Sequence, residues 1–263
     1  MKYSLFSLPA LLALASAAPS EEIEMGTTPT IYLAGDSTMA LGGGPRGTEG
    51  WGVFLPFSVK DAKVVNAAIG GRSARSYFNE GRFTRIADKV VPGDYVVFGF
   101  GHNDGGSLEP DNGRTDCLGS GNETCITSAG LIVQTYVTYL TQAAKAIVAK
   151  GAKVIISSPT PNNICEGTGC AYTAPRYTAY CRQVVSNVGS NLSFIDLGQY
   201  LANEYIRLGK ATVDSFYPID HTHTSPAGAN VVAQSFVKAV LCGNGVLAPY
   251  IKNGTSDVAG NCA

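Results

Sequence analysis

Charge is scarce in this sequence. Only 15% of its 263 residues are Asp, Glu, Lys or Arg, and the formal net charge is -1. Such a balance gives no long-range field to gather nucleic acid or an anionic membrane surface, although local patches remain open and charge alone excludes little; neither is expected as a partner. Histidine is scarcer still, with three copies, and tryptophan occurs once. No CxxC pair occurs and no histidine lies near a cysteine, so the spacing of a zinc site is missing. No GK[ST] follows the glycine-rich "LGGGPRGTEG", and the first apolar run leads into "AGDST" instead of GxGxxG, which argues against a nucleotide-binding loop. "LGGGPRGTEG" is instead expected to rim a cleft or simply to turn. Past the N-terminus no apolar run approaches the about 20 residues that span a bilayer.

What is present is apolar and orderly. Apolar residues make up 45% of the chain, with no long polar tract, enough to bury a core and offset the entropy of ordering. Lys2, the apolar run from Leu5 to Leu14 and the small residues of "ALASAAPS" have the layout of a secretory signal cleaved near Ala17 or Ala18. The expected organisation is a signal peptide over 1–17, a short segment over 18–28 and one domain over 29–263 in an extracellular protein. No feature suggests a dimer, so a monomer is expected.

Cysteine usage fits export. Cys117 and Cys125 bracket "CLGSGNETC", and Cys242 and Cys262 would clamp the C-terminal tail. Cys165 and Cys170 flank "EGTG" and form the third expected pair, leaving Cys181 as a buried thiol within a helical pattern. Three N-x-S/T acceptors, at Asn122, Asn191 and Asn253, are open to glycosylation in a eukaryotic secretory pathway.

Short β-branched runs recur at 30–37, 62–69, 94–101, 152–160 and 192–198, each reading as a buried parallel strand. Helical patterns separate them, around 51–59, 81–91, 128–150, 174–188, 199–208 and 226–241. This alternation predicts an α/β fold, a three-layer α/β/α sandwich on a five-stranded parallel sheet. Ligands of open parallel sheets bind at the carboxyl ends of the strands. There the sequence places "AGDSTMA", "AAIGGRSARS", "GFGHNDGGS" and, after the fifth strand, "DHTHTSP".

Ser37 ends the first strand on a turn and is a candidate nucleophile needing a histidine base. Asp220 and His223 are three positions apart, just before a helix start with Ser225 as N-cap and Pro226 at N1, so the acid can reach one ring nitrogen. His221, next to Asp220, is worse placed for that bridge and is left a positioning or substrate-contact role, or none. Two histidines and one acid make a thin ligand set, so no metal is expected. Asn103 offers an amide donor for a developing oxyanion, although Asn and Asp are also common turn formers. Trp51 could be core or a sugar platform, and its place at a helix start favours core.

Together, GDS, a glycine after the second strand, GxND and a C-terminal DxxH resemble the SGNH (GDSL-like) hydrolase superfamily, from Ile31 to about Val240. Within it, "YLAGDSTMA", "NAAIGGRSARS", "FGHNDGG", "SSPTPNN" and "FYPIDHTHTSPAGA" are similar to fungal rhamnogalacturonan acetylesterases. The resemblance implies a flavodoxin-like fold and ester hydrolysis without a cofactor. It implies Ser37 as nucleophile, Asp220 and His223 as its acid–base pair, and Ser37, Gly71 and Asn103 as oxyanion donors; Gly70 precedes Gly71, and a slip of one would move that role.

The substrate that the resemblance implies is acetylated pectic polysaccharide. Arg72 and Arg75, with Arg82 and Arg85 close behind, suit uronate carboxylates, or they pair with Glu80 and Asp88. Alternatives are an acetylesterase for another polysaccharide such as xylan, a broad short-chain esterase or lipase, and a carbohydrate-binding protein on the same fold. A lipase should show apolar lid segments, whereas these loops are rich in Gly, Ser, Asn and Thr.

Overall fold

The five β-branched runs become one parallel sheet. The computed structural model describes residue 1 and residues 28–263. The expected signal peptide and the segment after it lie outside the described residues, except for residues 1 and 28. In chain order the strands are β1 (Thr30–Gly35), β2 (Lys63–Asn66), β3 (Tyr95–Gly99), β4 (Thr124–Ile126), β5 (Ile132–Gln134), β6 (Lys153–Ser157) and β7 (Leu192–Ile195). The main sheet has the order β2-β1-β3-β6-β7, with every neighbouring pair parallel. The chain leaves β1 to one side for β2 and returns on the other for β3, so the crevice opens at the ends of β1 and β3.

The helices are α1 (Ala74–Asn79), α2 (Arg82–Ala87), α3 (Tyr136–Val148), α4 (Arg176–Val188), α5 (Leu197–Leu208), α6 (Lys210–Ser215) and α7 (Pro226–Cys242). Alternate strand residues feed two cores. Tyr32, Ala34, Val96, Phe98, Val154 and Ile156 pack with residues of α1 to α4. Ile31, Leu33, Val97 and Ile155 pack with residues of α5 and α7 and with Trp51. Trp51 is a core residue: it is 1% exposed and stacks on Phe236 at 4.8 Å. The sugar-platform alternative falls with that burial.

The helical pattern over 128–150 is half wrong. Helix α3 starts only at Tyr136, and before it β5 pairs antiparallel with β4. Ile132 and Val133 fit a helical stripe in sequence, but the Thr127 N–H bonds Leu131 O and Gly130 takes φ +78°, which turns the chain into a hairpin. Thr135 then caps α3 by accepting from the Thr138 N–H. Around 51–59 the expected helix is two 3₁₀ turns, Trp51–Val53 and Leu55–Ser58, since Pro56 lacks the N–H that a continuing ladder needs. Helix α1 escaped the periodicity, although Ser73 and Ser76 form a reciprocal cap at its start.

Three disulfides join Cys117 to Cys125, Cys165 to Cys170 and Cys242 to Cys262, and Cys181 is a buried free thiol. Burial pushes that thiol up to about 12, so it is inert as a nucleophile. Among the described residues no helix is long and apolar enough to cross a membrane.

Candidate active site

Ser37 stands one residue past Asp36, on a turn that backbone approach makes tight. A Cβ on Gly35 would lie 2.7 Å from both Gly99 O and Met39 Sδ, so only glycine fits there. Asp36, 1% exposed, accepts at one carboxylate oxygen from the Thr38 N–H at 2.9 Å and from the Thr38 hydroxyl at 2.7 Å. Its carbonyl accepts the N–H groups of Met39 and Ala40. The turn therefore holds Ser37, 4% exposed, at a fixed point above the sheet.

The loop before α7 brings Asp220 and His223 to Ser37. Asp220 accepts the N–H groups of Thr222 at 2.8 Å and His223 at 2.7 Å on one oxygen, and the His223 ring Nδ1 lies 2.8 Å from the other. The opposite ring nitrogen, Nε2, lies 2.8 Å from Ser37 Oγ across a sequence separation of 186. Burial draws the Asp220 carboxyl upward, but the backbone N–H and ring of His223 and the Thr222 N–H outweigh it and hold it below the ordinary carboxylate range. An ionised Asp220 requires the hydrogen on Nδ1, which leaves Nε2 free to accept the Ser37 proton. Ser225 anchors the loop by capping α7, accepting from the Gly228 N–H, with Pro226 at N1.

The turn after β2 borders Ser37. Among the described residues no acceptor takes the N–H of Ser37, Gly70 or Gly71. Gly71 sits at φ +73°, the third residue of a turn in which the Arg72 N–H reaches back to Ile69 O at 3.4 Å. A Cβ on Gly70 would be 3.8 Å from Ser37 Cβ, so this turn borders the serine. Asn103 follows β3 and donates one Nδ2 hydrogen to Arg72 O at 3.2 Å, while its Oδ1 accepts from Arg114 Nη1 at 3.1 Å. Asn66 ties the end of β2 to the Ser37 turn by donating to Met39 O at 2.8 Å.

The tentative substrate arginines are otherwise engaged. Arg75 is 4% exposed, makes a two-pronged pair with Asp111 at 2.8 and 2.7 Å and donates to Thr115 O. Both of its Nη groups are taken by these partners, and its buried Nε has none. Arg72 donates to Glu80 and to Gly70 O, and Arg82 pairs with the same Glu80. His221 is exposed, offers its carbonyl to the Asn163 N–H at 2.7 Å and keeps its ring 3.9 Å from Glu166. His102 is bound to Thr160 O at 2.8 Å. Asn122 and Asn191 are exposed and Asn253 is half-buried.

Two further site residues escaped the sequence reading. Gly44, from the glycine-rich loop, lies against the His223 ring, and Arg114 stands over Gly71, 3.9 Å from where its Cβ would be. Both come from loops without periodicity, and nothing local signals where such loops fold back. A cleft of about 330 Å³ opens beside His102, walled by Thr160, Asn162, Asn163, Tyr172 and Tyr177. Asn162 accepts from Thr222 at 3.0 Å, so the cleft shares a wall with the loop that carries His223. Among the described residues no group of three or more His, Cys, Asp or Glu side chains is placed to hold a metal ion.

Residues 33–231, which include Ser37, Asn103, Asp220 and His223, match the GDSL-like Lipase/Acylhydrolase family. The chain belongs to that family. This GDSL-like acylhydrolase is 48% identical to the rhamnogalacturonan acetylesterase of Emericella nidulans, over 89% of its own length and 92% of the relative's. It is 29% identical to a probable rhamnogalacturonan acetylesterase of Bacillus subtilis, YesY, over 80% and 91% of the two chains. Among solved structures it resembles YxiM of Bacillus subtilis with TM-score 0.65 at 24% identity, over 81% of this chain and 56% of that one. It also resembles the acetylxylan esterase Axe2 of Geobacillus stearothermophilus, with TM-score 0.54 at 19% identity, over 83% and 96%. At those identities the structural likeness speaks for the fold alone. The GDSL-like acylhydrolase is thus an ester-hydrolysing enzyme on a flavodoxin-like sheet.

Proposed function

We propose that this enzyme is secreted and removes acetyl groups from the rhamnogalacturonan backbone of pectin through an acetyl-serine intermediate. The observation that carries the chemistry is the unbroken relay from Asp220 to His223 to Ser37, with both ring contacts at 2.8 Å. His223 Nε2 takes the Ser37 proton as Oγ attacks the acetyl carbonyl, and Asp220 stabilises the imidazolium. The new oxyanion is met by the N–H groups of Ser37 and Gly71 and by the free hydrogen of Asn103 Nδ2. As the tetrahedral intermediate collapses, the imidazolium returns the proton to the departing sugar oxygen. Water, deprotonated by His223, then attacks acetyl-Ser37; acetate leaves and the serine is reprotonated.

The substrate assignment rests on the identity to the Emericella nidulans enzyme. The cleft beside His102 is lined by none of Ser37, Asp220 or His223 and adjoins their loop only through the Asn162–Thr222 contact; its amide and hydroxyl groups and its two tyrosine rings would suit the hydroxyls and apolar faces of a sugar chain extending from the serine. Three disulfides support an extracellular setting. The proposed chemistry calls for no cofactor.

Acetate release from acetylated rhamnogalacturonan, acetylated xylan and p-nitrophenyl acetate, by the wild type and Ser37→Ala, tests the proposal. Serine-dependent release from the pectic polymer well above xylan is the expected result. Equal release from xylan, or activity on the small ester alone, would remove the substrate assignment, and release independent of Ser37 would remove the mechanism.

A further inference from the structure

Asn103 can serve an oxyanion only if its amide nitrogen, and not its oxygen, faces the cleft, and the two ends of an amide are equal in size. Something must choose between them. The Arg72 carbonyl has no hydrogen to give, so it favours Nδ2 on its side. On the other side stands a guanidinium, which has no acceptor at all, so only Oδ1 can face it. A flipped amide would set oxygen against oxygen at Arg72 and N–H against N–H at Arg114. With both contacts made, one Nδ2 hydrogen is spent on Arg72 O and the second is left for the substrate.

We propose that Arg114 is a positioning residue for ester hydrolysis, holding Asn103 in its donor orientation and polarising the amide so that its free N–H binds the oxyanion more strongly. This inference rests on the oxyanion role proposed for Asn103. A positive charge on the acceptor end of an amide strengthens donation from its other end, and charge-assisted hydrogen bonds are the stronger kind.

Arg114 is exposed, so its aim comes from the loop that carries it. Asn112 accepts the N–H groups of Arg114 at 2.8 Å and Thr115 at 2.9 Å. The Asp116 N–H bonds Asp104 O, directly after Asn103 in the chain. Arg75 grips the loop from beneath through Asp111 and Thr115 O. The arginine that looked like a sugar ligand in the sequence instead supports the loop of the arginine that orients the amide.

A double-mutant cycle on p-nitrophenyl acetate tests this apart from any polysaccharide assignment. Asn103→Ala should lower kcat roughly a hundred- to a thousandfold. Arg114→Ala should lower kcat about tenfold, the rate equivalent of one charge-assisted hydrogen bond, with KM and Tm unchanged. Arg114→Lys, which keeps a charged donor, should recover part of that loss. In the Asn103→Ala background Arg114→Ala should cost nothing further. An equal loss in both backgrounds, or no loss in the wild type, would overturn the proposal while leaving Asn103 its role. A full rate in Asn103→Ala would overturn both. A rise in KM for the pectic polymer with kcat on the small ester intact would make Arg114 a substrate contact and overturn the positioning role.

Discussion

Gly44 lies so close to His223 that a Cβ at position 44 would fall 2.3 Å from the ring Cδ2 and 2.4 Å from Nε2. The glycine-rich loop is therefore the wall against which the imidazole rests. Thr48 holds it there by accepting the Gly44 N–H at 2.9 Å, and the Glu49 N–H bonds Thr224 O at 2.8 Å. Gly44→Ala should push the ring off Ser37 and reduce kcat about a hundredfold, the scale of an ångström misplacement, with little change in Tm. Steady-state kinetics with a melting curve check this; an unchanged kcat would mean that the loop yields instead of the ring.

The two histidines of "DHTH" should separate cleanly. His223→Ala removes the base and should lower kcat roughly a thousandfold or more. His221→Ala loses only an exposed, long contact to Glu166 and should stay within about fivefold of the wild type. Comparable losses in both variants would contradict the geometry described above.

Arg75 should act on stability. Its guanidinium and Asp111 are 4% and 14% exposed, so Arg75→Leu strands a carboxylate and the Thr115 carbonyl. The expected cost is about 3 kcal/mol, which for a domain of this size lowers Tm by roughly 6 to 12 °C. KM for the acetylated polymer, measured well below Tm, should not move. A raised KM at constant Tm would return Arg75 to the substrate.

Stability should fall as pH rises toward neutrality. Burial pushes the Asp116 carboxyl up to about 7 against the pull of Arg176, and the buried Asp104 is raised as well, first by burial and further by Asp116 and Asp36. One oxygen of each has no partner. Between the ordinary carboxylate value and about 7 the folded protein keeps a proton on Asp116 that the unfolded chain has released, so stability declines across that window as pH increases. Asp220, held low, contributes in the opposite sense and only at more acid pH. Melting curves from pH 4 to 8 should show Tm decreasing, less steeply in Asp116→Asn. An identical slope in that variant would clear Asp116 of the effect.

The sheet could be read from the chain because its strands are short, largely apolar runs bounded by polar turns; β1, β3 and β6 are buried as expected, whereas the edge strand β2 is exposed and half-buried in alternation, with no neighbour strand on its outer side. The site segments could be read because they follow those strands, and parallel topology brings strand ends together whatever the loops do. The β4–β5 hairpin could not: Ile126 and Ile132 pair across a turn set by Thr127 and Gly130, and in sequence the same residues fit a helical stripe. Nor could the arginines be sorted. Arg72, Arg75 and Arg82 look alike beside "GGRSARS", and which of them meets Glu80 or Asp111 depends on where a loop 36 residues downstream of Arg75 returns.

By itself the sequence determined the alternation of strand and helix and which residue types arrive at the carboxyl edge of the sheet. Those follow from local propensity and apolar period. Tertiary structure alone decided which ring nitrogen meets Ser37, that Gly44 backs the imidazole and that Arg114 orients Asn103. Each of those depends on the path of a loop with no period of its own, fixed by hydrogen bonds that form only once the sheet has closed beneath it.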